Sequence, residues 1–220
     1  TYVSPSVEKI TGYSVEQWLG QKHWFVSDSP VNSEARKRTY ANLKNETSSE
    51  AILVEIVDPR GKKILLDLYE TPIIRDGKVI GLQGIAQDIT EQMRGRLIQK
   101  IQYNITAAVV TSKNIEQLFN IVKNELNELI NTKNLFVAFY DENSELFKSN
   151  IESDEKDSTQ VWVANKSICG YVIKKKETII LSKLEIEKLV DRNEIELIGT
   201  MSESWMGTPL VIGGKIIGVL

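Results

Sequence analysis

Residues 50–89 constrain the fold more than any other stretch, because three β-type runs are separated there by two tight turns. The first run, 50–57, ends at Asp58-Pro59-Arg60-Gly61. Proline fixes one backbone angle of that turn and glycine supplies a conformation other residues avoid. The second run, 63–74, alternates, with Ile64, Leu66 and Leu68 on one face. Arg75-Asp76-Gly77-Lys78 is a hairpin of the Asp-Gly kind, and 79–89 returns as a third strand. Short connections of this sort join antiparallel neighbours, so a three-stranded meander is expected. Ahead of it lie short helical pieces near 7–10 and 15–19 and a longer one over 33–43. Small helices before a meander imply an α+β domain.

From Thr90 the period changes. Ile98, Ile101, Ile105 and Ala108 recur at helical spacing with polar residues between them, which gives an amphipathic helix over 90–112. Ser112 is the expected N-cap of the next helix, whose apolar face is Ile115, Leu118, Phe119, Val122, Leu126 and Leu129. A strand over 135–140, a turn at 141–144 and a return strand near Leu146 follow. The charged stretch 152–158 reads as a loop. Beyond it come a helix over 168–174, a strand over 178–181 and a helix over 185–190. A closing hairpin is expected to pair 205–212 with 215–220 around Gly213-Gly214. The second half is therefore α+β as well. The division is 1–92, a linker helix over 93–112, and 113–220. The chain lacks an initiator methionine and its last residues run out inside an apolar strand, so both domains are expected to be cut at the chain ends.

A net charge of -3 gives no basic footprint for nucleic acid or an anionic membrane surface. No apolar run has the roughly 18 to 20 residues needed to span a bilayer. The single cysteine, Cys169, excludes a disulfide framework or a thiolate metal cluster and fits a reducing cytoplasm, although the full-length protein could be membrane-attached. Catalytic readings fail on their parts. The only histidine, His23, lacks the acidic neighbour of a phospho-accepting histidine, and no glycine-rich phosphate loop is present. No metal-ligand spacing is found. Cys169 lies on the apolar side of a short helix and is read as buried and inert. Trp18, Trp24, Trp162 and Trp205 are scattered without a cationic stripe and read as core or hinge packing. Lys174, Lys175 and Lys176 read as a solvated helix end.

The first half resembles a PAS domain. The resemblance rests on Tyr2-Val3-Ser4-Pro5-Ser6-Val7-Glu8-Lys9-Ile10-Thr11-Gly12-Tyr13-Ser14, on Pro72 after the alternating strand, and on Gly84-Ile85-Ala86-Gln87-Asp88-Ile89-Thr90-Glu91. The family's opening strand would lie before Thr1. The second half resembles a GAF domain through Leu135-Phe136-Val137-Ala138-Phe139-Tyr140-Asp141, Ser167-Ile168-Cys169-Gly170-Tyr171-Val172, and the stretch from Ile195 through Trp205 to Leu220. The pair looks like the sensory region of bacterial sensor histidine kinases, proteins of two-component phosphorelay systems.

These resemblances imply sensing or relay rather than catalysis. Asp88, Ile89 and Thr90 form the exit motif of the PAS pattern, where a carboxylate can cap the departing helix. The resemblance implies that this junction transmits signals, whereas the plain reading is a cap alone. The stripe Ile98, Ile101, Ile105, Ala108 is what the seam of a homodimer would use, and Ile101→Asp should then weaken self-association. Glu70 falls on the register of Ile64, Leu66 and Leu68, where the pattern has something small. Pointing inward it would anchor a small-molecule ligand in a pocket. At the rim it would be solvated, the reading preferred here. Flavin, haem and bilin each need residues that are absent, so no covalently bound cofactor is expected and any ligand is unidentified. Two alternatives stand beside the kinase: a ligand-free dimerisation spacer, and the front end of a cyclic-dinucleotide enzyme. The downstream output domain is not encoded in this segment.

Overall fold

The computed structural model describes residues 2–19, 26–44, 50–153 and 161–220, with the backbone alone over 150–153. The chain divides into two units, Thr1–Lys100 and Ile101–Leu220, each a mixture of helices and antiparallel sheet. His23 and Trp24 lie outside the described residues, as does most of the loop expected over 152–158.

In the first unit, helices α1 (Ser6–Thr11), α2 (Val15–Trp18) and α3 (Pro30–Leu43) precede strands β1 (Ile52–Val57), β2 (Lys63–Arg75) and β3 (Lys78–Asp88), which pair in that order. Helix α3 starts three residues before the expected 33, because Pro30 occupies its first turn, where a missing N–H costs nothing. The core is Tyr13, Ile56, Ile64 and Leu66, with Ile10, Trp18, Val26 and Val54 packed on it. Gly12 ends α1 with a φ of 75°, and a Cβ there would press on the ring of Pro59 at 3.1 Å. That close approach lets the hydroxyl of Tyr13 donate to the carbonyl of Val57 at 2.8 Å. Fully buried Asn32 ties α3 to the outer side of β1. Its Nδ2 donates to the Glu55 carbonyl at 2.7 Å and its Oδ1 accepts from the Glu55 N–H at 2.9 Å.

The turn after β1 depends on Asp58, whose side chain is buried. Burial pushes its pKa up, but the N–H groups of Lys62 and Arg60 and the Arg60 guanidinium outweigh that and hold it below the ordinary 3.8. A carboxyl depressed by folding contributes stability above its unfolded pKa and loses it as pH falls through the lower, folded value. Thermal melts from pH 5 downward should therefore show a loss beginning near 3.8. The part of that loss due to this turn should be absent in Asp58→Asn.

Helix α4 (Thr90–Thr111) covers the expected linker helix over 93–112 to within its last residue, and the division between the units falls within it. Its stripe is split. Ile101 and Ala108 are each 3% exposed in the single chain, Ile105 is half-buried, and Ile98 is 36% exposed. Asn104 Nδ2 donates to Glu125 of α5 (Ile115–Leu126) at 3.0 Å, which lays this part of α4 against its own neighbour. Two of the four residues expected in a dimer seam are thus already covered. The N-cap of α5 is Asn114, which accepts from the Gln117 N–H at 2.8 Å. Ser112 still belongs to the end of α4, its N–H bonded to the Ala108 carbonyl at 2.9 Å.

The rest of the second unit runs β4 (Leu135–Asp141), β5 (Leu146–Ser153), β6 (Val161–Val163), α6 (Ile168–Lys175), β7 (Ile179–Ser182), α7 (Lys183–Asp191), β8 (Ser204–Gly207), β9 (Pro209–Ile212) and β10 (Lys215–Val219). The main sheet has the order β6-β5-β4-β10-β9, and β7 pairs with β8 in a separate ribbon. The expected hairpin is therefore only half right. Residues 209–212 pair with β10, whereas Ser204–Gly207 leave for β7. The change of sheet falls at Gly207-Thr208-Pro209, where proline has no N–H to continue a ladder. Ala138, Phe147, Cys169, Val172 and Val219 form the core between sheet and α6. Leu181, Ile186, Leu189 and Ile195 form a second cluster around α7.

Candidate functional site

Two places among the described residues combine packing with a polar network or an open cavity. The first is the junction where β3 becomes α4. Ile89 is buried, and its carbonyl takes the first helical bond, from Met93 at 2.8 Å. Asp88 Oδ1 accepts from both the N–H and the hydroxyl of Thr90, at 2.9 and 2.6 Å. The Thr90 hydroxyl oxygen in turn accepts from the N–H of Leu65 at 2.9 Å, while Ile89 N–H donates to the Leu65 carbonyl at 2.9 Å. The last rung between β2 and the departing chain is thus half backbone and half side chain. Asp88, Ile89 and Thr90 are brought together as the sequence implied. Leu65 was missed, because a backbone partner leaves no mark in the side-chain pattern.

Glu70 is neither solvated at a rim nor aimed into a pocket. It is half-buried on β2 and accepts from Thr39 Oγ1 at 3.0 Å and from Asn42 Nδ2 at 3.2 Å. Both partners lie on α3, so the carboxylate is a strut between sheet and helix within the first unit. Gly84 stands opposite it across β2 and β3, and a Cβ there would press on Leu68 Cδ1 at 3.1 Å rather than on Glu70.

The second place is a cavity of about 560 Å³ inside the second unit. Leu135 and Phe136 of β4, Ser149 of β5 and Trp162 of β6 give it a wall of sheet. Ser167, Ile168 and Cys169 at the start of α6, with Ile186 of α7, contribute helix. The rest of the wall comes from Ile195 onward, a segment without regular structure, and from Ser204, Trp205 and Met206 of β8. Cys169 is buried, as expected, and burial pushes its thiol up to about 12, so it stays protonated at neutral pH. Ser167 is committed to structure: its hydroxyl donates to the Ala164 carbonyl at 2.8 Å and accepts from Gly170 N–H at 3.0 Å.

The sequence read the tryptophans as packing, and Trp162 and Trp205 are indeed packed against the core of the second unit, where they also line this cavity. Trp162 stacks on Phe147 with ring centres 5.6 Å apart and meets Phe136 edge-on at 6.2 Å. Trp205 folds back over Gly207, where any Cβ would overlap its ring. That glycine two residues on was the available signal, and it marks a side chain held in one place.

Residues 1–91 match the family model for the PAS domain. No curated protein matches the chain. Among solved structures, the GAF domain from an Acinetobacter phosphoenolpyruvate-protein phosphotransferase is 12% identical at a TM-score of 0.44, covering 56% of this chain and 73% of that one. A sensory box histidine kinase/response regulator from Burkholderia thailandensis is 14% identical at 0.39, covering 46% and 77%. The chromophore-binding domain of Stigmatella aurantiaca phytochrome P1 is 12% identical at 0.40, covering 98% and 78%.

Proposed function

We propose, from the match of residues 1–91 to the PAS domain family, that the chain is the sensory part of a cytoplasmic signal-transduction protein, with a GAF-type ligand-binding unit after it and α4 as the relay. The observation that carries the reading is the rung at the root of α4. One hydroxyl, that of Thr90, is bonded both to the carboxylate that starts the helix and to the strand beside it. A change in the position of β2 cannot leave the first turn of the helix undisturbed. The relay is then a population shift, in which a ligand or partner favours one sheet-helix arrangement and α4 carries the preference onward. The cavity of the second unit supports a ligand-binding role over that of an inert spacer, since its volume falls in the range of small-molecule sites. The output we propose is a histidine kinase acting in a dimer. The coding sequence after Leu220 tests that half directly: a phospho-acceptor helix and an ATP-binding domain support it, and a cyclase domain replaces it.

Thr90→Ala tests the relay by hydrogen exchange. Losing the hydroxyl leaves the Leu65 N–H without its partner, and its exchange should rise about tenfold, as expected for one lost bond. If the junction transmits, exchange should also change over 101–111, beyond the turn that Thr90 touches. Thr90→Ser, which keeps the hydroxyl, should restore both. Changes that stop at the first turn of α4 would reduce the junction to a cap and remove the relay.

A further inference from the structure

The charged groups among the described lining residues of the second unit's cavity stand at its mouth. Among its described lining residues there is no lysine, arginine or histidine, and the two carboxylates, Glu196 and Glu203, are largely exposed. Each is already paired outward, Glu196 with Lys166 at 3.2 Å and Glu203 with Lys183 at 2.8 Å. The lining offers indole, thioether and aliphatic surface, together with the neutral hydroxyl of Ser202. Leu197 and Ile198, in the irregular wall, line the cavity while each remains 47% exposed. Apolar surface held open at a cavity mouth gains free energy only when something apolar covers it.

We infer that this cavity takes an uncharged, largely apolar small molecule and rejects anions such as nucleotides, phosphates and carboxylates; the inference rests on the cavity being the sensory unit's ligand site. An anion entering it would give up water with no cation among the described lining residues, since the lysines at the mouth, Lys166 and Lys183, are already engaged by Glu196 and Glu203. A neutral flat molecule loses little water, covers Leu197 and Ile198, and finds Trp162 and Trp205 as faces to stack on.

Titration of the whole chain with two fluorescent probes tests this: uncharged Nile red, and the anion 1-anilinonaphthalene-8-sulfonate. Nile red should bind at one site per chain and resist competition by the anion. Ser202→Trp, which fills the cavity, and the double change Leu197→Ser with Ile198→Ser, which strips its mouth, should each weaken Nile red about tenfold, with circular dichroism unchanged. Ser202→Arg, which supplies a cation, should raise affinity for the anionic probe about tenfold. If the anion displaces Nile red from the unaltered chain and Ser202→Trp blocks both, the site stands and the charge class is wrong. If Nile red fails to bind, or binds indifferently to all these changes, the cavity is not a ligand site and both readings fall.

Discussion

Replacing Ile101 by Asp is expected to unfold part of the second unit rather than to separate two copies of the chain. The sequence placed Ile101 in a stripe that a homodimer would bury. The structure leaves that side chain 3% exposed with no second copy present. An aspartate there would put a carboxylate where an aliphatic side chain is enclosed. It would lose the isoleucine's burial and demand a partner that the site lacks. Such changes stand at the upper end of single-residue effects, about 4 kcal/mol or more. Calorimetry should show the main transition of the Ile101–Leu220 unit lowered by well over 10 °C or absent, at roughly 4 °C per kcal/mol for a unit of this size. A lower mass in sedimentation would then report unfolding and say nothing of a seam. A dimer through the stripe is tested instead at Ile98, its member left 36% exposed in the single chain. Ile98→Gln should lower the melt far less than Ile101→Asp, and there a fall in mass means a lost interface. An Ile101→Asp chain that melts like its parent would show that this packing is not what holds the unit together.

That contrast shows what the sequence could and could not convey. A 3-4 spacing announces that one face of α4 is covered, and Ile101 and Ala108 are indeed covered. Nothing in the spacing says whether the cover is another copy or the next helix of the same chain. The meander was legible because period-two alternation and two turn sequences agree, and their joint solution is nearly unique. The boundaries failed where two equally good signals competed. Ser112 and Asn114 are both capable caps, and what decides is that α4 continues past Ala108, the last of its apolar stripe, to Thr111 and still holds the Ser112 N–H, which no side chain records. Likewise 205–212 was read as one strand, yet the parts on either side of Gly207-Thr208-Pro209 pair with different strands. The cavity was the least legible part. Trp162 sits on a strand of three residues after a charged stretch, and Trp205 lies more than forty residues away. Their meeting around one cavity is a product of topology. The junction at Asp88 and Thr90 was legible because its three residues are adjacent in the chain.

Gly170→Ala should cost the second unit about as much as a cavity in its core would, although it adds one methyl group. Gly170 lies in the first turn of α6, and a Cβ on it would overlap the carbonyl oxygen of Ala164 and stand 2.9 Å from that carbonyl's carbon. The obstacle is backbone, and it is pinned. The Ala164 oxygen accepts from the Ser167 N–H at 3.1 Å and from its hydroxyl at 2.8 Å, the two bonds that set where α6 begins. The loop cannot retreat without breaking them, so the helix must lift. Lifting α6 withdraws Cys169 and Val172 from the core they share with Ala138 and Phe147, and pulls Ile168 and Cys169 from the cavity wall. Overpacking of this kind costs about 3 kcal/mol when neighbours cannot yield, which at this size is a melting point lower by roughly 10 °C. Nile red affinity should fall in the same variant. The matching change at Gly95 gives the opposite sign. That glycine is an exposed interior position of α4 with nothing within 4 Å of where an added methyl group would sit, so Gly95→Ala should raise stability by about 0.5 to 1 kcal/mol through helix propensity alone. If both alanines behaved alike, the contact between α6 and the Ala164 carbonyl would not be the reason for glycine at 170.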